Sequence, residues 1–258
     1  MNGELRNRRF WDTDADAYQS VHGTRLRDDA RAWGVWRIPE SELHILDDID
    51  DADVLELGCG AAQWSVALAA SAGRTVALDQ SQAQLAHARR AVTESDAPVS
   101  LVLASATALP FARESFDVVF CDHGAMSFCD PQRSVPAVAR VLRPGGLLAF
   151  CAGTPLLYLT FDAKRDRQTR RLRHRAFGRR RWTSESGTTD YCISTGEWLR
   201  LFAANGLVAE DLVELRAPKG ATTTFNDFAP YRWARRWPAE QIWKVRKPAE
   251  PPVSGARR

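Results

Sequence analysis

The chain has 258 residues, 35 of them basic and 32 acidic, for a formal net charge of +3. That length accommodates one substantial core, and so small a charge is no signature of nucleic-acid binding by itself. The five cysteines, Cys59, Cys121, Cys129, Cys151 and Cys192, show no CxxC or Cys/His spacing. No metal is therefore expected, and reduced thiols in a cytoplasmic protein are. The first residues carry Glu4, Arg6, Arg8 and Arg9 without the apolar centre of a signal peptide. No apolar run nears the ~20 residues of a membrane span, so no membrane partner is expected.

Residues 1–50 mix acids with the rings of Phe10, Trp11, Tyr18, Trp33 and Trp36, and a helix is expected from about Ser41 towards Asp53. From Asp53 to Phe150 strands and helices alternate, the pattern of a parallel sheet. Strands are expected at Val54–Leu57, Thr75–Leu78, Val99–Leu103, Phe116–Cys121 and Leu147–Phe150. Helices are expected at Ala61–Ala72, at Gln82–Glu94 behind the N-cap Ser81, and at Pro131–Leu142 before the breaker Arg143-Pro144-Gly145-Gly146. Residues 151–192 interrupt the rhythm. They hold Lys164, Arg165, Arg167, Arg170, Arg171, Arg173, Arg175, Arg179, Arg180 and Arg181 around Asp166, and a helix over Asp162–Ala176 would put Arg167, Arg170, Arg171 and Arg175 near one side. Alternation resumes with a helix at Thr195–Asn205 and strands at Leu207–Leu215 and Ile242–Val245. The expected organisation is one domain over 1–247: a helical lid (1–50), a cofactor-binding core (51–150), a cap insertion (151–192) and the end of the sheet (193–247). The Pro-rich tail 248–258 is expected to be disordered.

The centre of this pattern is Val54-Leu55-Glu56-Leu57-Gly58-Cys59-Gly60. An apolar strand ends in an acid and breaks into a glycine turn that a helix follows. Gly58 and Gly60 permit a tight turn and close approach of a ligand, and the helix N-terminus offers free N–H groups to it. Gln63 stands where a dinucleotide fingerprint needs a third glycine or alanine, and the Gly-Lys-Ser/Thr of a P-loop is absent. Glu56 suits a ligand with an amino group. Asp79, about twenty residues on at the end of the second strand, suits the two hydroxyls of a ribose. Its bland reading, an acid at a helix N-terminus, is worth only about 0.3–1 kcal/mol.

The glycine turn resembles motif I of the class I S-adenosylmethionine-dependent methyltransferases, Glu-x-Gly-x-Gly. Ala104-Ser105-Ala106-Thr107-Ala108-Leu109-Pro110-Phe111 resembles the segment of that family that lines the adenine, with Ser105 in place of its aspartate. Val141-Leu142-Arg143-Pro144-Gly145-Gly146 resembles its structural turn before strand five. The resemblance covers residues 50–150 and implies a Rossmann-like, seven-stranded, mainly parallel sheet with helices on both faces. It also implies S-adenosyl-L-methionine as cofactor, with S-adenosyl-L-homocysteine as product. The implied cofactor wall is Glu56, Gly58, Cys59, Gly60, Asp79, Gln80, Ser105, Ala106 and Cys121, with Trp11 and Tyr18 from the lid; those two rings are equally consistent with plain packing of a helix onto the sheet.

By the same resemblance, Asp122 and His123, at the end of the fourth strand, face both methyl group and acceptor. Methyl transfer from a sulfonium is an in-line displacement, in which positioning alone is worth ~7–11 kcal/mol. A phenol, acid or hydroxyl acceptor gains from a base, and the ordinary pKa of His123, ~6.5, suits that role. Asp122 would orient it or contact the cofactor, while His123 as a mere pocket wall stands beside these roles. His174 and Tyr191 are weaker candidates. The expected function is O- or N-methylation of an anionic or aromatic small molecule by a monomer or homodimer. Two rivals remain: an RNA or protein methyltransferase docking through 164–181, and a non-catalytic S-adenosylmethionine-binding module, to which Ser105 points. A solvated cap helix is the bland reading of the arginine run.

Overall fold

Val54, Leu55 and Leu57 are fully buried because the strand that carries them lies mid-sheet with both faces covered, as parallel strands require. The computed structural model describes residues 3–46, 49–178, 180–184 and 187–249. Its main sheet comprises β1 (Asp53–Leu57), β2 (Arg74–Asp79), β3 (Val99–Leu103), β4 (Phe116–Asp122), β5 (Leu142–Gly153), β6 (Val208–Leu215) and β7 (Glu240–Arg246). The order is β6-β7-β5-β4-β1-β2-β3. The first five run parallel, while β7 pairs antiparallel with both β5 and β6. The long helices are α1 (Gly3–Asp28), α2 (Gln63–Leu68), α3 (Gln82–Ser95), α4 (Pro131–Val141) and α5 (Thr195–Ala204). Ser81 caps α3 by accepting from Gln84 N, as expected. This is the expected seven-stranded Rossmann-like sheet.

Alternation along the strands divides the core. Leu55, Leu57, Phe116, Phe150, Trp198, Phe202 and Trp243 pack on one face; Val54, Trp33, Trp64, Phe120 and Ile242 pack on the other. Each such side chain stabilises the fold by about 1.5–3 kcal/mol. At the amino ends of the strands Arg143 bridges Asp53 and Asp117, both at 2.6 Å. That confirms a structural part for the turn that contains it.

Several elements differ from expectation. The helix after the glycine turn starts only at Gln63, since Ala62 sits at φ +58. The helix near Ser41 is one turn, Glu40–Leu43, ended by left-handed His44. Strand β5 begins at Leu142, so Arg143-Pro144-Gly145-Gly146 lies within it beside a register shift. No helix forms over Asp162–Ala176. Phe161–Asp162 and Arg167–Gln168 pair as a hairpin instead, and Arg165 and Arg173 both bond Asp162 (2.8 and 2.7 Å). Like charges at helical spacing repel, and a hairpin gives two of them a shared carboxylate. Of the tail, residues 250–258 lie outside the described residues.

Gly58 also has a different reason from the one its motif suggests. A Cβ there would strike the backbone of Gly124 and Ala125, and one at Gly124 would strike Gly58 and Leu57 O. The two glycines let the ends of β1 and β4 touch. Gly58 also sits at φ +70, so Gly58→Ala adds both a collision and a strained backbone. We expect a loss of about 2–5 kcal/mol in denaturant titration, whereas Gly60→Ala, whose Cβ would meet no atom closer than 3.7 Å, leaves more of the stability intact.

Candidate functional site

One cavity of about 670 Å³ opens at the carboxyl ends of β1, β2 and β4, where open parallel sheets place their ligands. Of the residues singled out in the sequence, Trp11, Tyr18, Glu56, Gly58, Cys59, Gly60, Asp79, Gln80, Ala106, Asp122 and His123 line it. Two do not. Ser105 turns to Thr107, their hydroxyls 2.9 Å apart. Cys121 is fully buried, and its Sγ accepts from Met126 N at 3.4 Å. A strand residue next to one that faces the cavity points to the opposite side, which excludes Cys121 once Asp122 faces in.

The cofactor half is acidic. Glu56 is buried, and its Oε2 accepts from Ser65 N (3.1 Å) and Ser65 Oγ (2.5 Å). Burial pushes its carboxyl up to about 8 against those hydrogen bonds. Asp79 accepts from Gly60 N (2.9 Å) and Ser81 N (2.8 Å), and burial raises it to about 6. Neither has an ion-pair partner among the described residues. Helix α1 covers this half. Gln19 bonds Gln84 (2.9 Å) and Gln63 (3.1 Å), Asp12 accepts from Ser81 Oγ (2.8 Å), and Asp16 meets His87 (2.7 Å). Trp11 and Tyr18 lie edge to face at 5.2 Å on the cavity side of that helix. Burial, aided by Asp122, raises the Tyr18 phenol.

Asp122 does not orient His123. Its carboxylate accepts from Gly34 N and Arg37 Nη1, both at 2.9 Å. The imidazole instead meets Glu240, Nε2 to Oε1 at 2.6 Å. Burial alone would lower the His123 pKa, but the hydrogen bond and charge of Glu240 raise it overall. Glu240 is fully buried on β7, also accepts from Val35 N (2.7 Å), and leaves Oε2 without a partner among the described residues. Asp122, His123 and Cys151 place ligand atoms within 4.8 Å of one another. Arg37 already holds the first, however, and burial holds the Cys151 thiol well above its ordinary range.

The other half is lined by Tyr158, Phe161, His174, Trp182, Asp190 and Phe228. Asp190 is pushed up to about 7 by burial, with His123 pulling the other way. None of the described arginines of 164–181 lines the cavity, so they build no anion pocket in it. Tyr191 turns towards Gly3. Arg37, Asp190 and Glu240 were not legible in the sequence. Each becomes part of the site through a contact made across the fold, and only the position of Glu240, just before the strand expected at Ile242–Val245, offered a hint.

Residues 55–150 match the family model described as "Methyltransferase domain". Over this segment, and with the seven-stranded sheet around it, the chain is similar to class I S-adenosylmethionine-dependent methyltransferases. Over 98 residues it is 39% identical to a demethylmenaquinone methyltransferase of Clavibacter sepedonicus, a match covering 38% of this chain and 40% of that protein. The chain thus spans about two fifths of the length of the curated relatives it matches. In fold it is similar to an S-adenosylmethionine-dependent methyltransferase of Mesorhizobium loti (TM-score 0.63, 18% identity, 80% of this chain and 95% of that one). It is also similar in fold to the 1,6-didemethyltoxoflavin-N1-methyltransferase of Burkholderia thailandensis (TM-score 0.59, 13% identity, 96% and 92%), solved with its substrate and S-adenosylhomocysteine.

The cavity fits that cofactor chemically. Two buried carboxyls without a cation suit a ligand bearing an ammonium and a sulfonium. A cation placed beside Glu56 favours its ionised form, so binding near neutrality releases a proton. Because the free carboxyl is protonated below about 8, S-adenosylhomocysteine affinity should rise from pH 6 to 8 in calorimetry and level off above. Glu56→Gln should flatten that rise. Asp79→Ala should weaken binding about tenfold or more through loss of charge-assisted hydrogen bonds.

Proposed function

We propose that the protein transfers the methyl group of S-adenosylmethionine to a small-molecule acceptor, forming an O–CH3 or N–CH3 bond. The observation that carries the reading is that one cavity joins the acidic cofactor half to an aromatic-lined half, with Asp122 and His123 between them. When bound, the cofactor supplies an electrophilic methyl on a sulfonium whose departure is neutral.

This chain's residues do the rest. Glu56 and Asp79 bind the amino and ribose groups. The Arg37–Asp122 pair, nearly buried on both sides, closes the floor and excludes water. Tyr158, Trp182 and Phe228 present flat apolar walls to an aromatic acceptor, and His174 forms part of the same wall. His123, its Nε2 turned to Glu240, takes the acceptor proton when neutral and is stabilised by Glu240 once charged, and Asp190 is a second proton acceptor on the facing wall. With Asp166, Asp190 and Asp227 among the lining residues, a neutral or cationic acceptor suits this wall better than an anionic one.

The deciding experiment supplies methyl-labelled S-adenosylmethionine with a panel of phenols, amines and carboxylic acids and follows S-adenosylhomocysteine release. No binding of S-adenosylmethionine or S-adenosylhomocysteine by the wild type would overturn the reading. Full affinity with no transfer to any acceptor would favour a binding module. His123→Ala should lower kcat about 100-fold or more, the scale of a lost general base, with S-adenosylhomocysteine affinity unchanged. Because Glu240 raises the His123 pKa, the base becomes neutral only at higher pH; Glu240→Gln should shift the acidic limb of kcat to lower pH.

A further inference from the structure

Beyond the cavity, the segment after the Phe161–Gln168 hairpin presents apolar side chains to solvent. It is pinned, not loose. Thr169 N donates to Thr160 O (2.9 Å), and Arg173 N and His174 N donate to Leu159 O (2.7 and 3.3 Å). Arg173 also bonds Asp162. Between and beyond these pins lie Leu172, 69% exposed, and Phe177, 93% exposed, the two most exposed large hydrophobic side chains among the described residues.

Near them in sequence are Arg167, Arg170, Arg171 and Arg175. All four are exposed, and the described residues offer no hydrogen bond or ion pair to their guanidinium groups. Other arginines of the run behave differently, with Arg165 and Arg173 on Asp162 and Arg180 on Glu197. Solvated surface arginines normally find a carboxylate or stand apart from large apolar groups. Here four exposed cations, unpaired among the described residues, and two bare hydrophobic side chains share one short stretch of chain. Nucleic acid would satisfy the cations and leave the apolar pair wet. An apolar protein groove would cover the pair and bury the cations at a penalty. A surface with anionic headgroups above hydrocarbon satisfies both.

We propose that residues 170–177 dock this protein onto an anionic membrane surface, with Leu172 and Phe177 entering the boundary of headgroups and acyl chains and the arginines meeting lipid phosphates. No helix among the described residues is long and apolar enough to cross a membrane, so the attachment is peripheral. Asp166, Gln168 and His174 belong to the same stretch and line the cavity. Docking therefore brings that wall of the cavity to the lipid. The attachment does not depend on which acceptor the site methylates.

The test is co-sedimentation of the full chain with vesicles of phosphatidylglycerol and phosphatidylcholine, against vesicles of phosphatidylcholine alone. Binding is expected to the first and to weaken sharply at about 0.5 M salt, where charge is screened within a few ångströms. Each arginine near such a surface strengthens partitioning about fivefold, so Arg170→Gln/Arg171→Gln/Arg175→Gln should lower it about a hundredfold. Leu172→Ser/Phe177→Ser should also lower it, and both variants should melt like the wild type because the altered side chains are exposed. Absence of vesicle binding, equal binding to both compositions, or wild-type binding by either variant would overturn the proposal. So would tighter binding to single-stranded RNA that is indifferent to Leu172→Ser/Phe177→Ser, or self-association abolished by that pair without vesicle binding.

Discussion

Desolvated carboxyl groups at the carboxyl ends of three neighbouring parallel strands set the character of this cavity. Glu56 comes from β1, Asp79 from β2 and Asp122 from β4. Parallel strands bring their ends to one edge of the sheet, and the turns beyond them leave room for a ligand there. Among the described residues, only Asp122 has a cation in reach, Arg37. The other two are held by hydrogen bonds from backbone and hydroxyl donors, which orient a carboxyl without supplying charge. A cationic ligand completes what the protein leaves open. Buried carboxyls held by neutral donors distinguish this crevice from one built for a pyrophosphate.

The segment before β1 closes the site from the other side. Ala32–Trp33 and Ile38–Pro39 form a short hairpin that Glu40 and Glu240 hold from within: Glu40 accepts from Trp33 Nε1 and Leu46 N, and Glu240 accepts from Val35 N. Arg37 reaches from this hairpin to Asp122 and to Asp29 O. Cofactor cover, ion-paired floor and the partner of His123 are therefore mechanically linked. Removing one partner of such a buried network leaves the other charge unpaired in a dry site, the costlier loss.

The arginine-rich insertion presents two different faces. Its inner side supplies aromatic and polar wall, Phe161, Gln168, His174 and Trp182. Its outer side carries charge and two exposed apolar groups. Arg165 and Arg173 contribute to its shape by sharing Asp162. Charge density along a chain says little until the carboxylates that neutralise part of it are located.

The sequence by itself determined the order of strands and helices, the glycine turn, the acids at the ends of the first, second and fourth strands, and the cofactor class they suit. These follow from local periodicity, turn chemistry and motif spacing, which a linear reading captures. Helix boundaries shifted where a backbone angle intervened, as at Ala62. Tertiary structure alone decided that Gly58 is required by Gly124, that Asp122 belongs to Arg37, that His123 belongs to Glu240, and that Asp190 faces the cavity. Residues 123 and 240 are brought within hydrogen-bond reach only because β7 inserts antiparallel beside β5. Such a contact is fixed by topology and leaves no trace in spacing, so the residue expected to orient His123 was the neighbour in sequence and the one that does so is the neighbour in space.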